Sequence, residues 1–101
     1  MQQRRKQPTI TGIAWFTPEQ YELLLEYAAD RDQLPNTYEE WLQKATDLLH
    51  FLHSKKYIVP KIDLDVHEVV AWCKQLNIPF NSKARAQFTA ERVRQLNQPP
   101  A

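Results

Sequence analysis

The fold of this chain is decided by residues 37–56, which read TYEEWLQKATDLLHFLHSKK. Thr37, followed three residues later by Glu40, forms a capping box, in which side chains and backbone satisfy each other's free hydrogen-bonding groups at a helix start. Behind this box, apolar side chains recur every three or four residues as far as Lys55 and Lys56, whose charges suit a helix C-terminus. The stretch therefore predicts a long amphipathic helix.

Another helix is predicted just upstream. Thr17 can cap it, Pro18 suits its first position, and Gln20 can complete a capping box. This helix should run to about Arg31. Residues 32–36 then form a short connection to the long helix, and such a link predicts an antiparallel helical hairpin whose apolar faces meet.

Two more helices follow in the second half of the chain. Asp65 opens a third helix, whose end is bounded by Asn77 and Pro79. Asn81 or Ser82 caps a fourth. The small and apolar side chains of this last helix are divided between two faces, one with Ala86, Ala90 and Val93 and the other with Ala84 and Phe88.

Two short strands complete the predicted fold. Between residues 58 and 64, apolar and polar side chains alternate with the period of a half-buried strand, with Ile58, Ile62 and Leu64 on one side. Pro60 favours an edge position for this strand. Residues 10–16 are the other strand candidate. The predicted fold class is α+β and mainly helical, with a helical hairpin and two further helices packed on two short strands.

Length and composition fit a single small domain over residues 9–96. Of the 101 residues, 43% are hydrophobic and 25% are charged, as in ordinary globular proteins. The basic segment 1–8 and the segment 97–101 are predicted to be disordered tails. No apolar run approaches the roughly 18 residues that would span a bilayer, so no membrane partner is expected.

The scarcity of glycine excludes a large group of functions. Gly12 is the only glycine, whereas phosphate-binding loops and dinucleotide-binding turns need several, because their backbone must approach an anion closely. We therefore assign no cofactor. Cys73 is the only cysteine, so an internal disulfide is excluded, and the cytoplasm is the expected location.

A cluster of possible metal ligands and a possible nucleophile occur in the sequence, but the positions of these residues favour structural roles. Asp63, Asp65 and His67 could offer ligands to a cation. They fall in a strand, at a helix cap and in a first turn, so they need not converge. Cys73 could be a nucleophile, but it lies in the apolar stripe of the third helix, where a thiol packs as a small hydrophobe. The sequence therefore predicts no catalytic residue and no metal ligand.

Basic side chains gather at the two ends of the chain, although the net charge is only +1. The candidates for phosphate contacts are Arg4, Arg5, Lys6, Lys83, Arg85, Arg92 and Arg94. No known recognition signature accompanies them. In the acidic middle of the chain, Asp30 and Asp32 flank a helix end, where solvent should screen both.

Aromatic side chains point instead to a protein-interaction surface, because rings are enriched in interfaces as well as in cores. Trp41 falls in the apolar stripe of the long helix and is expected in the core. Trp72 lies off the apolar stripe of the third helix and is expected to be partly exposed. With Tyr57, Ile58 and Ile62 it forms the predicted interface with a protein partner or with a second copy of the chain, through the second strand or through Trp72 itself.

Four stretches of cap and packing residues, 15–21, 37–42, 70–73 and 84–88, have a further implication. Together they resemble a group of short bacterial proteins, cyanobacterial ones included, that have no assigned activity. The resemblance spans Trp15 to about Arg94. It implies a single bacterial cytoplasmic domain and carries over no catalytic residue.

These observations predict a small non-enzymatic interaction or regulatory module. One alternative is a nucleic-acid-binding accessory protein, whose binding would weaken steeply with salt. The second alternative is a small metal- or thiol-dependent enzyme, which would hold a metal tightly or have a reactive Cys73 at neutral pH.

Overall fold

The computed structural model describes residues 11–96 and has the mainly helical α+β fold that the sequence predicts. In chain order its elements are β1 (Ile13–Trp15), α1 (Pro18–Tyr27), a 3-10 turn (Arg31–Gln33), α2 (Tyr38–Ser54), β2 (Lys61–Asp63), α3 (Val66–Leu76) and α4 (Ser82–Leu96). The two tails predicted to be disordered lie outside the described residues. Within residues 11–96, no helix is both long and apolar enough to cross a bilayer.

Side chains cap the four helices where the sequence predicts. The capping residues are Thr17, Thr37, Asp65 and Asn81, each of which accepts a hydrogen bond from the backbone amide three residues further on. Each of these bonds satisfies an N–H group that the helix itself leaves free. At α2 both halves of the capping box are present. At α4 the cap is Asn81 rather than Ser82.

α1 ends at Tyr27, so the prediction that it continues to about Arg31 is wrong. The backbone of Ala28 is extended, and the Ala29 amide donates a 2.8 Å hydrogen bond to the carbonyl of Phe80. Neither glycine nor asparagine stops the helix locally, as such residues often do. A contact with a distant segment therefore sets the end of α1.

Gln20 also differs from its predicted role, because its side chain serves another helix. Its Oε1 atom accepts a 2.7 Å hydrogen bond from the amide of Val66, the first residue of α3. Val66 is fully buried, and a buried amide without a partner is costly. The bond therefore ties the starts of α1 and α3 together.

The two strands form a parallel sheet in which residues 13–15 pair with residues 61–63. Ile62 and Leu64 belong to the core, as the alternation predicts. Ile58 does not share their side of the chain, since it is 48% exposed whereas Val59 is buried. Pro60 separates this segment from β2, so the two-residue period does not extend across it.

Aromatic rings join β1, α1 and α2. Phe16 is buried and packs edge-on against Tyr21, with ring centroids 6.4 Å apart, which is the hydrophobic staple expected before a helix. Tyr21 also contacts Tyr38 and Trp41 in the first turn of α2, at 6.1 and 5.7 Å. These contacts join the N-terminal ends of α1 and α2. Trp41 packs against the core but is only half-buried.

The fourth helix buries one of its two predicted faces and leaves much of the other open. Ala84 and Phe88 are buried, together with the polar residues Arg85 and Thr89. On the other face Val93 is buried, but Ala86 and Ala90 are exposed. α4 therefore packs on the sheet and leaves a surface of small side chains uncovered.

Gly12 is required for space rather than for an unusual backbone conformation, since its φ is not positive. A Cβ atom at this position would lie 2.3 Å from Val93 Cγ2, and 3.2 Å from side-chain atoms of Ile62 and Thr89. The first distance is far below van der Waals contact. The absence of a side chain at Gly12 therefore lets α4 approach β1 closely.

We predict that Gly12→Ala destabilises the protein, because overpacking costs about 1–3 kcal/mol. This loss exceeds the gain of about 0.4–1 kcal/mol from restricting the unfolded chain. Val93→Ala would remove the clashing atom, so the double variant should lose less stability than the two single variants added together. Denaturant unfolding of the four proteins measures this difference, and strictly additive losses would contradict the close approach.

Candidate protein-interaction site

An open groove of about 550 Å³ lies between α2 and α4. Four residues of α2 that share one helix face line it, namely Trp41, Lys44, Ala45 and Leu48. From α4 come Ser82, Arg85, Ala86, Thr89, Ala90 and Val93, again one face of the helix. Residues 11–14 line the groove as well. We call this feature the α2–α4 groove; its volume is in the range of about 300–1,000 Å³ typical of ligand pockets.

β1 has one paired edge and one free edge. The Ile13 amide donates to the Pro60 carbonyl at 3.1 Å, and Trp15 also bonds across to β2. Since consecutive residues of a strand direct their N–H and C=O groups to opposite edges, those of Gly12 and Ala14 point away from β2. These groups have no hydrogen-bond partner among residues 11–96. Gly12 and Ala14 both line the groove, so the free edge of β1 faces it.

A bidentate ion pair fixes the α4 side of the groove. Arg85 Nη1 and Nη2 donate to the two carboxylate oxygens of Asp30 at 3.0 and 2.8 Å, and the side chains are only 8% and 11% exposed. The guanidinium also lies 5.3 Å from the ring centroid of Phe80. The hydrogen bond from Arg85 holds the pKa of the Asp30 carboxyl below its usual value. The prediction that solvent screens Asp30 is therefore wrong.

Large apolar side chains are exposed beside the groove, in the C-terminal half of α2 and the loop after it. We call these residues, Leu48, Phe51, Tyr57 and Ile58, the α2 apolar surface; they are between 37% and 56% exposed. Leu48 also lines the groove, so the two features adjoin. Concentrations of exposed apolar side chains mark interaction sites in soluble proteins.

The structure separates the four residues predicted for a protein interface. Tyr57 and Ile58 are exposed and belong to the α2 apolar surface. Ile62 is 7% exposed and packs in the core, so its side chain is not available to a second copy. Trp72 is half-buried, in agreement with the expected partial exposure, and its ring packs edge-on against Phe88 at 5.3 Å.

Of the seven basic residues predicted to contact nucleic acid, four lie within residues 11–96, and three of these four have acidic partners. The ion pairs join Arg85 to Asp30, Arg92 to Glu68 and Arg94 to Glu91. Lys83 is exposed and has no ion pair within the described part of the chain. The remaining candidates, Arg4, Arg5 and Lys6, lie outside residues 11–96. A phosphate group would have to compete with a carboxylate for each of the three arginines.

The residues considered for metal binding or catalysis have structural contacts. Asp65 caps α3, and the His67 ring packs edge-on against Tyr27 at 5.7 Å. Between residues 11 and 96, no group of three histidine, cysteine or acidic side chains is arranged to hold a metal ion. Cys73 is 2% exposed, and burial raises the pKa of its thiol. A buried, protonated thiol is a poor nucleophile.

The groove itself is the feature that sequence patterns alone do not reveal. Its signal in the sequence is the small-residue face of α4, on which Ala86 and Ala90 have no apolar neighbour larger than Val93. Lys44 gives no signal, because a lysine on an amphipathic helix is ordinarily a solvated surface residue. To predict the groove, one must know how α2 and α4 are placed relative to β1.

Comparisons with protein-family models, with curated proteins and with solved structures find no match for this chain. The resemblance to short bacterial proteins therefore stays a prediction. Function has to be argued from the α2–α4 groove and the α2 apolar surface.

Proposed function

We propose that the protein is a small non-enzymatic module that acts by binding a protein partner. The observation that carries this proposal is the α2 apolar surface, which holds four of the seven large hydrophobic residues that are exposed within residues 11–96. Fully burying one such side chain contributes about 1.5–3 kcal/mol. Four partly exposed side chains can therefore supply several kcal/mol to an association.

The partner can be another protein or a second copy of this chain. A two-fold dimer would place the same apolar surface of each copy in contact, which is the commonest arrangement in homo-oligomers. A cytoplasmic location is part of the proposal. It is supported by Cys73, the single cysteine, which is buried and forms no disulfide, because disulfides are rare in reducing compartments.

Nucleic-acid binding receives less support from the described residues. Phosphate-binding surfaces depend on accessible lysine and arginine side chains. Arg85 is almost fully buried in its ion pair, and Arg92 and Arg94 each contact a carboxylate. These three arginines therefore offer little unpaired charge to a phosphate backbone.

We predict that Phe51→Asp weakens association about tenfold or more, because it places a charge at the most exposed residue of the α2 apolar surface. His50→Asp is the matched control, since it puts the same charge at the neighbouring exposed position of α2. Self-association is measured by analytical ultracentrifugation, and partners by affinity capture from an extract of the source organism at low and high salt. His50→Asp should behave like the unmodified protein.

The proposal is contradicted if the unmodified chain stays monomeric and captures no protein in stoichiometric amount. It is also contradicted if the captured material is DNA or RNA that high salt removes, because that salt dependence is characteristic of phosphate contacts.

A further inference from the structure

The free edge of β1 presents backbone groups at the spacing that another strand would match. The N–H and C=O groups of Gly12 and Ala14 repeat every second residue along the edge, and none is paired within residues 11–96. A strand rises about 3.3 Å per residue, so the donors of an extended chain recur at the same interval. Unpaired strand edges are sites at which a further strand can add.

The two walls of the groove decide which kind of strand can reach this edge. α2 and α4 both contribute residues to the groove that this edge faces. In a second copy of the chain, β1 lies between its own α2 and α4 in the same way. A folded second copy would bring its own α2 and α4 to the groove with its strand, so an extended segment without flanking helices is the simpler occupant.

The charge of the lining also selects among occupants. The lining has two basic side chains, Lys44 and Arg85, and no acidic one. Arg85 is neutralised by Asp30, whereas Lys44 has no ion pair among the described residues. An unpaired ammonium at the side of an apolar groove favours a carboxylate in the occupant.

We infer that the α2–α4 groove binds an extended, apolar and acidic peptide segment of another protein, which adds a third strand to the sheet at the free edge of β1. The inference rests on the proposed function and names the chemistry of the partner. Along the bound segment, side chains facing α4 are apolar and fill the space above Ala86 and Ala90. On the opposite side of the added strand, a glutamate or aspartate lies within reach of Lys44.

The chain's own end segments match this description poorly. Residues 1–8 include Arg4, Arg5 and Lys6, which have the same charge as Lys44. Residues 97–101 read NQPPA, and proline has no N–H group to donate to a strand edge. A segment of a different protein is therefore the occupant that the groove favours.

The test begins with a phage-displayed library of random peptides of about ten residues, long enough to cover residues 11–16. The library is selected on the full chain, and the best peptide is synthesised and added to isotope-labelled protein for amide hydrogen exchange by NMR. The amides of Gly12 and Ala14 should then exchange about tenfold or more slowly. Those of Ile13 and Trp15, which already face β2, should change little.

Variants and modified peptides identify the groove. Ala90→Trp fills it from an exposed position of α4 and should weaken peptide binding about tenfold or more. Gln87→Trp, at an exposed position of the same helix that does not line the groove, is the control and should bind normally.

N-methylation of the peptide residues that face β1 should abolish binding, whereas methylation of the intervening residues should not. Lys44→Glu should disfavour acidic peptides and favour basic ones.

Strand addition is overturned if no peptide is selected, or if the selected peptides leave the exchange of Gly12 and Ala14 unchanged and bind equally well to Ala90→Trp. Either result leaves the proposed function to be judged separately, by the effect of Phe51→Asp on association. If Phe51→Asp loses association and the groove binds no peptide, strand addition is wrong and the proposed function stands.

Discussion

Replacing Arg85 by methionine is expected to destabilise the protein by about 3–5 kcal/mol, because it leaves a largely buried carboxylate without its cationic partner. Asp30, whose side chain is 11% exposed, accepts both guanidinium hydrogen bonds and has little access to water. Small domains are stable by only about 5–15 kcal/mol. The variant should therefore unfold at a much lower denaturant concentration, which urea titration followed by circular dichroism measures.

The control for Arg85→Met replaces both partners. In Asp30→Leu combined with Arg85→Met no buried charge remains, and apolar pairs of this kind are often as stable as the ion pair. The double variant should therefore regain most of the lost stability. A loss below about 1 kcal/mol in Arg85→Met would mean that the pair behaves as a solvated surface pair, contrary to its burial.

The same pair makes stability depend on pH in a definite direction. The pKa of Asp30 is lowered in the folded protein, so its ionised form is favoured by folding. The contribution is complete above the pKa of an unfolded aspartate, about 3.9, and is lost as the pH falls through the lower folded value. Asp30→Asn should flatten this part of the stability profile. An unchanged acid limb in that variant would assign the acid sensitivity to other carboxyls.

The second large effect is expected from Tyr21→Ala, at about 3–5 kcal/mol, the usual cost of truncating a buried aromatic side chain. Tyr21 is 1% exposed and contacts Phe16, Tyr38 and Trp41. Its ring joins β1, α1 and the first turn of α2. Removing it should loosen the attachment of α2 as well as lower the free energy of unfolding, and a change in tryptophan fluorescence, to which Trp41 contributes, would report this loosening.

Tyr21→Phe separates the ring from the hydroxyl group. The hydroxyl donates a 2.5 Å hydrogen bond to the Pro35 carbonyl, in the connection that leads to α2. Burial raises the pKa of this phenol, so it remains a donor. The loss of one such bond costs about 0.5–1.5 kcal/mol, much less than the loss of the ring. Equal losses in the phenylalanine and alanine variants would contradict the central position of the ring.

The helix starts were predictable from the sequence because their causes are local. A cap such as Thr37 or Asp65 and the amide that it accepts from are three residues apart, so both are visible in one short window. The same holds for the staple between Phe16 and Tyr21. These signals, with the helical and strand periods, are sufficient for the fold class.

Features that depend on distant residues could not be predicted in this way. α1 stops early because Ala29 binds Phe80, and Asp30 is buried because Arg85 reaches it from α4. Gln20 satisfies the amide of Val66 instead of completing its own capping box. In each case the local sequence is compatible with both the predicted and the observed structure. Contacts between distant elements determine which of the two forms.

The candidate site divides in the same manner. Tyr57 and Ile58 were predicted as interface residues beside Trp72 and the second strand, and they are exposed. Ile62 is buried because α4 covers the sheet there. To identify the free edge of β1, one must know its register with β2, and the sequence of residues 10–16 does not contain this information.

The central claim, that the free protein keeps an open strand edge between α2 and α4, is tested most directly by amide hydrogen exchange along β1. We expect the amides of Ile13 and Trp15 to be strongly protected by β2, and those of Gly12 and Ala14 to exchange about 100-fold faster or more. Slow exchange at all four positions in the monomeric, unliganded chain would contradict the claim, because the outer edge would then already be covered.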